Sequence, residues 1–330
     1  MIVHELGHLI AARAFGMRVI TFSIGFGPAL WRHQPRGSET IYQVALIPFL
    51  AYVQIAGMDP FEEVDPGDKT SYANGTLVAR VSAIFAGPLA NYLFASVFFF
   101  GAFVLGGNFM TGDLSSRVNV VAGSPAEAAG LKDGDRIVRI GRDRIDKFAE
   151  LRKSILASKG KSVEVEVVRG DVPLVLEVKP KLKDGELPQI GVEAVREPLP
   201  VAEALKQSVI YPAYVVKASV LEIARIITGK TKAEVMGPPG IAKEIKLAVD
   251  RGWSYYFMLL GILSAYLGAF NLVPFPALDG GRLLFLGYEA VTRRRPNQRM
   301  EANIHRVGLL MLLLLILMVS ISDIFDLAGP

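Results

Sequence analysis

The chain is 330 residues long and 51% hydrophobic, with a mean hydropathy of +0.37 and a formal net charge of +4. So much apolar residue in a chain of this length excludes an ordinary soluble protein. The charge excess is small and gathered in one loop, which argues against a nucleic-acid partner. The absence of cysteine excludes disulfides and thiolate ligands, so a bound metal must be held by histidine and carboxylate.

The chain opens on His4-Glu5-Leu6-Gly7-His8, followed by Leu9-Ile10-Ala11-Ala12. Histidines four apart lie on one helix face, so both imidazoles can reach a single zinc ion. Glu5 sits beside them, placed to take a proton from an activated water. Polar groups embedded in apolar sequence are costly unless they serve a function. A helix over residues 1–15 extends only about 22 Å, against a hydrocarbon core of about 30 Å. It also lacks the basic start and small-residue cleavage site of a signal peptide. The expectation is therefore that the first helix is incomplete in the chain as given.

Residues 19–24 and 41–53 are rich in β-branched and aromatic side chains and predict strands, with Gly25-Phe26-Gly27-Pro28 punctuating them. Their low polarity suits a hairpin dipping into the membrane beside the metal site, its backbone covered by protein. Residues 83–106 form a clear membrane-spanning candidate, since about 20 apolar residues suffice. Residues 115–196 predict an independent soluble domain. It contains a strand at 117–121, a short helix after Ser124-Pro125, a strand at 136–140, a helix at 148–157 and a hairpin from 162–168 and 173–178. Residues 197–252 predict amphipathic helices on the membrane surface, interrupted at Gly237-Pro238-Pro239-Gly240. Two further apolar runs, 257–272 and 307–321, complete the chain, with Trp253, Tyr255 and Tyr256 as an interfacial belt. Arg282, Arg293, Arg294, Arg295, Arg299 and Arg306 crowd the loop between these runs. The positive-inside tendency makes that loop cytoplasmic and places residues 107–252 on the opposite face.

A catalytic zinc takes three protein ligands and leaves a position for water. His33 and His305, beside Arg32 and Arg306, read as ordinary interfacial residues. Asp279 is the better third ligand. It lies in Asn271-Leu272-Val273-Pro274-Phe275-Pro276-Ala277-Leu278-Asp279-Gly280-Gly281, where two prolines and two glycines break an apolar helix. Irregular backbone at membrane depth is tolerated only where protein buries it or it lines a cavity. The alternative is that Asp279 merely caps the helix over 280–290.

With these motifs in place the chain resembles the site-2 protease family of intramembrane zinc metalloproteases, specifically its bacterial regulator-of-sigma-E protease branch. Matching stretches run from His4–His8 through residues 22–28 and Ala86-Gly87-Pro88-Leu89-Ala90-Asn91 to a PDZ-like region at 123–135, Gly237-Pro238 and residues 271–281. The resemblance implies a polytopic α-helical membrane protein of about four transmembrane helices with a membrane-associated β-hairpin, plus an inserted α+β PDZ domain. The first membrane part would then be 1–106, the PDZ domain 115–196, the surface helices 197–252 and the second membrane part 253–330. It implies one catalytic Zn2+ held by His4, His8 and Asp279, with Glu5 as general base. Substrate contacts would come from Asn271, Tyr52 and Pro274. The implied partners are the lipid bilayer, transmembrane protein substrates already clipped on their outer side (an anti-sigma factor or signal-peptide remnants) and a peptide or carboxyl terminus at the PDZ domain. The implied location is the bacterial inner membrane with the PDZ domain periplasmic.

Three departures from the family pattern stand out. Apolar residues that precede the motif in relatives are missing. The usual Pro-x-Gly-Gly-Tyr-Val reads Pro48-Phe49-Leu50-Ala51-Tyr52-Val53 here. There is room for one PDZ domain where some members carry two. The rival readings are a catalytically idle PDZ scaffold, a metal transporter and a truncated inactive form. The retained Glu5 speaks against the scaffold, and the separate soluble domain against transport.

Overall fold

A computed structural model describes residues 1–330 except 60–61, 108–114, 182–187, 196–197, 231–235 and 329–330, with backbone alone at 48–50, 223–224, 227, 298 and 326–328. The chain forms two compact units, Met1–Ala102 with Leu205–Pro330, and Phe103–Ala204. Residues 108–114, most of the segment between the expected first membrane part and the expected soluble domain, lie outside the described residues, as does the end of the soluble segment at 196–197. So do the side chains of Pro48, Phe49 and Leu50.

The first unit begins with α1 (Ile2–Ala14), which buries His4, Gly7, His8, Leu9 and Ala12 on one face. Its other face leaves Ile2, Leu6 and Ile10 exposed. Next come β1 (Val19–His33) and β2 (Ile41–Ile55). Residues 21–24 face 51–54 on one side and 41–44 on the other, while residues 29–33 fold back onto 42–45. Residues 51–55 thus form an outer edge of this small sheet. Strand structure continues through Gly25-Phe26-Gly27-Pro28, where punctuation was expected. Positive φ at Gly25 (+94°) and Gly27 (+92°) bends the strand without ending it. A side chain at Gly25 would also press on the carbonyls of Ala45 and Ile47. Then α2 (Leu77–Gly106) carries Pro88 in its interior.

The second unit holds β3 (Val118–Val120), α3 (Pro125–Ala128), β4 (Arg136–Ile140), β5 (Asp143–Arg144), α4 (Phe148–Ala157), β6 (Val163–Arg169), β7 (Val172–Val178) and β8 (Val192–Ala194). Ser124 Oγ accepts the Glu127 N–H and so caps α3. The strands form an antiparallel sheet β5-β4-β6-β7 and a separate antiparallel pair β3-β8. Alternating residues Val165, Val167 and Val178 meet Leu151 and Ile155 of α4 in one core.

The first unit resumes with α5 (Val201–Ile227), a single helix through Pro212 whose Tyr211 packs edge-on against Phe99 of α2 at 4.6 Å. It continues as α6 (Pro238–Arg251), α7 (Trp253–Asn271), α8 (Asp279–Thr292) and α9 (Gln298–Ala328). Asp323 of α9 accepts the N–H groups of Gly237 and Gly240 at 2.8 and 2.9 Å, which accounts for the Gly-Pro-Pro-Gly break at the start of α6. Among the described residues three helices are long and apolar enough to cross a membrane, namely α2, α7 and the stretch Arg299–Phe325 of α9. Leu309, Leu310, Leu313, Leu314, Leu317 and Met318 of α9 all stand exposed. A contiguous apolar surface of that kind suits lipid rather than water.

Candidate metal centre

Small residues let the helices that carry the site approach backbone to backbone. A Cβ on Gly7 of α1 would overlap the Ala86 carbonyl of α2, and one on Gly87 would overlap the His8 ring. One on Gly268 of α7 would come 3.0 Å from the Pro88 carbonyl. Pro88 removes the N–H that Ile84 O would otherwise receive. The neighbouring carbonyl, Ala83 O, accepts from His8 Nδ1 at 2.7 Å. That bond places the ring proton on Nδ1 and turns the Nε2 lone pair of His8 inward.

His4 Nε2 lies 3.1 Å from His8 Nε2. Asp279 Oδ2 completes the triangle at 3.0 Å from His4 and 3.3 Å from His8. The three ligand atoms lie within 4.8 Å of one another, and both histidines are buried. Asp279 Oδ2 is itself buried without a hydrogen-bond donor among the described residues. Two imidazole nitrogens and a carboxylate oxygen thus converge with too few protons between them, an arrangement that a divalent cation satisfies. The donor set suits zinc, which binds nitrogen and carboxylate oxygen in sites of three protein ligands. Asp279 is not the N-cap of α8 but its first residue, the N-cap being Leu278.

His4 Nδ1 faces the Asn91 side chain, with Nδ2 at 3.1 Å. A metal on Nε2 puts the His4 proton on Nδ1 and calls for the amide to present Oδ1 to it. Asn91 is 1% exposed, and its backbone carbonyl accepts from Ser264 Oγ of α7 at 2.9 Å. Glu5, half-buried one residue after His4, accepts the N–H of Val53 at 3.0 Å through Oε2. The base is therefore tied to the outer strand 51–55 of the small sheet.

The remaining anticipated site residues have other placements and partners. Asn271 ends α7 and is buried, Pro274 sits exposed in the following loop, and the Tyr52 hydroxyl accepts from Gln43 Nε2 at 3.2 Å. Among the described residues none of them hydrogen-bonds to His4, His8 or Asp279. Sequence reasoning overlooked Gly87 as a steric requirement of the histidines. Asn91 entered only through the family resemblance. His305, read as interfacial, accepts the Ala277 N–H at 2.9 Å two residues before Asp279.

The family model of peptidase family M50 matches residues 1–315. A candidate zinc metalloprotease of Clostridium perfringens is 33% identical over 328 residues, covering 98% of this chain and 95% of that one. A candidate zinc metalloprotease of Rickettsia conorii is 31% identical, covering 98% of this chain and 95% of the relative. The zinc metalloprotease RasP of Geobacillus kaustophilus is 29% identical, covering 97% and 94%. Among solved structures, the PDZ domain of an SdrC-like protein from Listeria monocytogenes aligns with 27% of this chain and 94% of its own, at 27% identity and a TM-score of 0.22. The chain belongs to peptidase family M50 and is a zinc metalloprotease of the site-2 protease kind.

Proposed function

We propose that the chain hydrolyses peptide bonds within or beside transmembrane segments, with one zinc ion held by His4, His8 and Asp279. The observation that carries this reading is the buried convergence of His4 Nε2, His8 Nε2 and Asp279 Oδ2 beside Glu5. Zinc, when bound, supplies Lewis acidity for the scissile carbonyl and acidifies a water. Glu5 takes that water's proton and delivers it to the leaving amine.

The substrate enters unwound, because a helix keeps its carbonyls in its own hydrogen bonds. The outer strand at 51–55 offers an edge on which an extended segment can add as a further strand. Val53 N–H already faces outward from that edge, toward Glu5. Asn271 ends the helix before the loop that leads to Asp279, Pro274 lies within that loop, and with Tyr52 they are proposed as substrate contacts. A membrane helix rich in weak helix formers, already clipped on its outer side, fits this entry route.

The proposed topology has about four transmembrane helices, α1 together with α2, α7 and α9. The arginines gathered between residues 282 and 306, at the ends of α8 and α9 and the turn joining them, support a cytoplasmic position for that segment at a bacterial inner membrane. The second unit is then extracytoplasmic. We read it as an inserted PDZ domain whose groove between α4 and residues 188–193 takes a peptide carboxyl terminus.

The test is cleavage of a single-span substrate by detergent-purified protein, with Glu5→Gln in parallel and zinc quantified in both. Zinc in both with cleavage only by the parent is the expected result. No zinc in the parent would overturn the reading.

A further inference from the structure

The loop from residue 272 to 278 leaves α7 and delivers Asp279 to the histidines, and α9 holds this loop from the side. His305 and Gly308 stand one turn apart on α9, on the same face. Gly308 leaves room for Pro276, whose carbonyl oxygen would lie 2.6 Å from a Cβ placed there. His305 Nδ1 accepts the N–H of the next residue, Ala277, at 2.9 Å. Ala277 is one of three described non-glycine residues at positive φ, at +76°. Such a conformation persists only where the surroundings over-determine it.

From α8, Gly281 sits against both parties. A Cβ there would meet the Phe275 carbonyl at 2.5 Å and His305 Cε1 at 3.3 Å. The Phe285 ring closes on the imidazole at 5.7 Å. Acceptance at Nδ1 requires the neutral ring with its proton on Nε2, and that atom is buried without a partner among the described residues. The ring is thus committed to one task, holding a strained turn two residues from a metal ligand.

We propose that His305 is a positioning residue for the metal centre: its Nδ1 holds the Ala277 turn and thereby aims the Asp279 carboxylate at His4 and His8. This rests on Asp279 being a zinc ligand. His305 touches neither metal nor substrate in this role. A site held through such a support loses metal affinity when the support goes, commonly by 10-fold or more.

The side chains that restore the tie discriminate a specific acceptor from mere packing. Asparagine places its Oδ1 near the position of histidine Nδ1, whereas glutamine places its oxygen one methylene further out. His305→Ala, His305→Asn and His305→Gln are made in the full chain. Each is examined metal-free by amide exchange of residues 273–281, and metal-loaded by zinc competition with a chelator and by the visible absorption of the cobalt form. His305→Ala and His305→Gln are expected to speed exchange at Ala277, weaken zinc about 10-fold and alter the cobalt spectrum. His305→Asn is expected to stay close to the parent in all three.

Comparison of the asparagine and glutamine variants keeps the test decisive even where the alanine variant fails to fold. Unchanged exchange and affinity in His305→Gln would overturn the proposal. So would equal damage in the asparagine and glutamine variants, which marks packing alone. Exchange that responds as expected in a parent chain binding no zinc would overturn the ligand role of Asp279, and with it the purpose of the tie.

Discussion

Glu5 accepts the backbone N–H of Val53 at 3.0 Å, so the proposed base is bonded to the strand edge on which a substrate would add. An incoming strand and Glu5 then compete for one donor, and strand addition frees the carboxylate as it brings the peptide bond near. Glu5→Gln keeps an acceptor for Val53 and removes the base. The variant is expected to fold and bind zinc like the parent while cleavage falls at least about 100-fold. Loss of zinc together with activity would show instead that Glu5 is needed to build the site.

Gly87 tests the backbone-to-backbone packing of α1 on α2. A methyl group there overlaps the Nε2 and Cε1 atoms of His8 and comes 2.8 Å from His4 Cε1. These neighbours are the ligands themselves, on a helix packed through Gly7 directly against the Ala86 carbonyl. Gly87→Ala is therefore expected to give a membrane-inserted protein with little bound zinc, read by metal analysis of the purified chain. Full zinc occupancy would mean that the histidines relax around the methyl group.

Asn91 is the polar partner on the far side of His4. Replacing it by leucine removes the acceptor that fixes the His4 tautomer and is expected to weaken zinc 10- to 100-fold in chelator competition. Asn91→Asp retains an acceptor for the Nδ1 proton and is expected to bind zinc far better than the leucine variant. Equal affinities in the two variants would assign Asn91 a packing role only.

What was legible in the chain follows from how local each signal is. The spacing of His4 and His8 is a property of one helix, and the Pro-Gly break before Asp279 is a property of one loop. Sequence alone therefore leads to the three side chains that meet. The helix over 148–157 and the 163–178 hairpin are likewise local patterns of apolar period. Gly87 is different, because its requirement comes from a helix about eighty residues away. His305 bonds to a backbone N–H, which every residue but proline carries, so nothing in residue identity marks its partner. The bend through residues 25–28 misleads for a related reason: glycines that usually end a strand here carry it around a corner, under constraint from the Ala45 and Ile47 carbonyls.

In the second unit, Asp135 is fully buried and accepts two bonds at 2.8 Å from the Arg169 guanidinium and one at 2.9 Å from the Lys132 N–H. Pairing with Arg169 holds the carboxyl below its usual value, outweighing burial, which acts in the opposite direction. A depressed carboxylate contributes stability in full above the unfolded value of about 3.9, and that contribution is lost as pH falls toward the folded value. Hydrogen exchange of β4 and β6 in the full chain, normalised to the intrinsic rate at each pH, should show protection falling off below about pH 4. Arg169→Gln strands a buried charge. With the guanidinium about one-third exposed, the variant is expected to be less stable than the parent, by less than the loss of a fully buried pair would cause. In that variant Asp135 favours its protonated form, so the acid-side loss should shrink or reverse between pH 7 and 4. An unaltered pH profile in Arg169→Gln would show that other carboxylates set the acid stability of this unit.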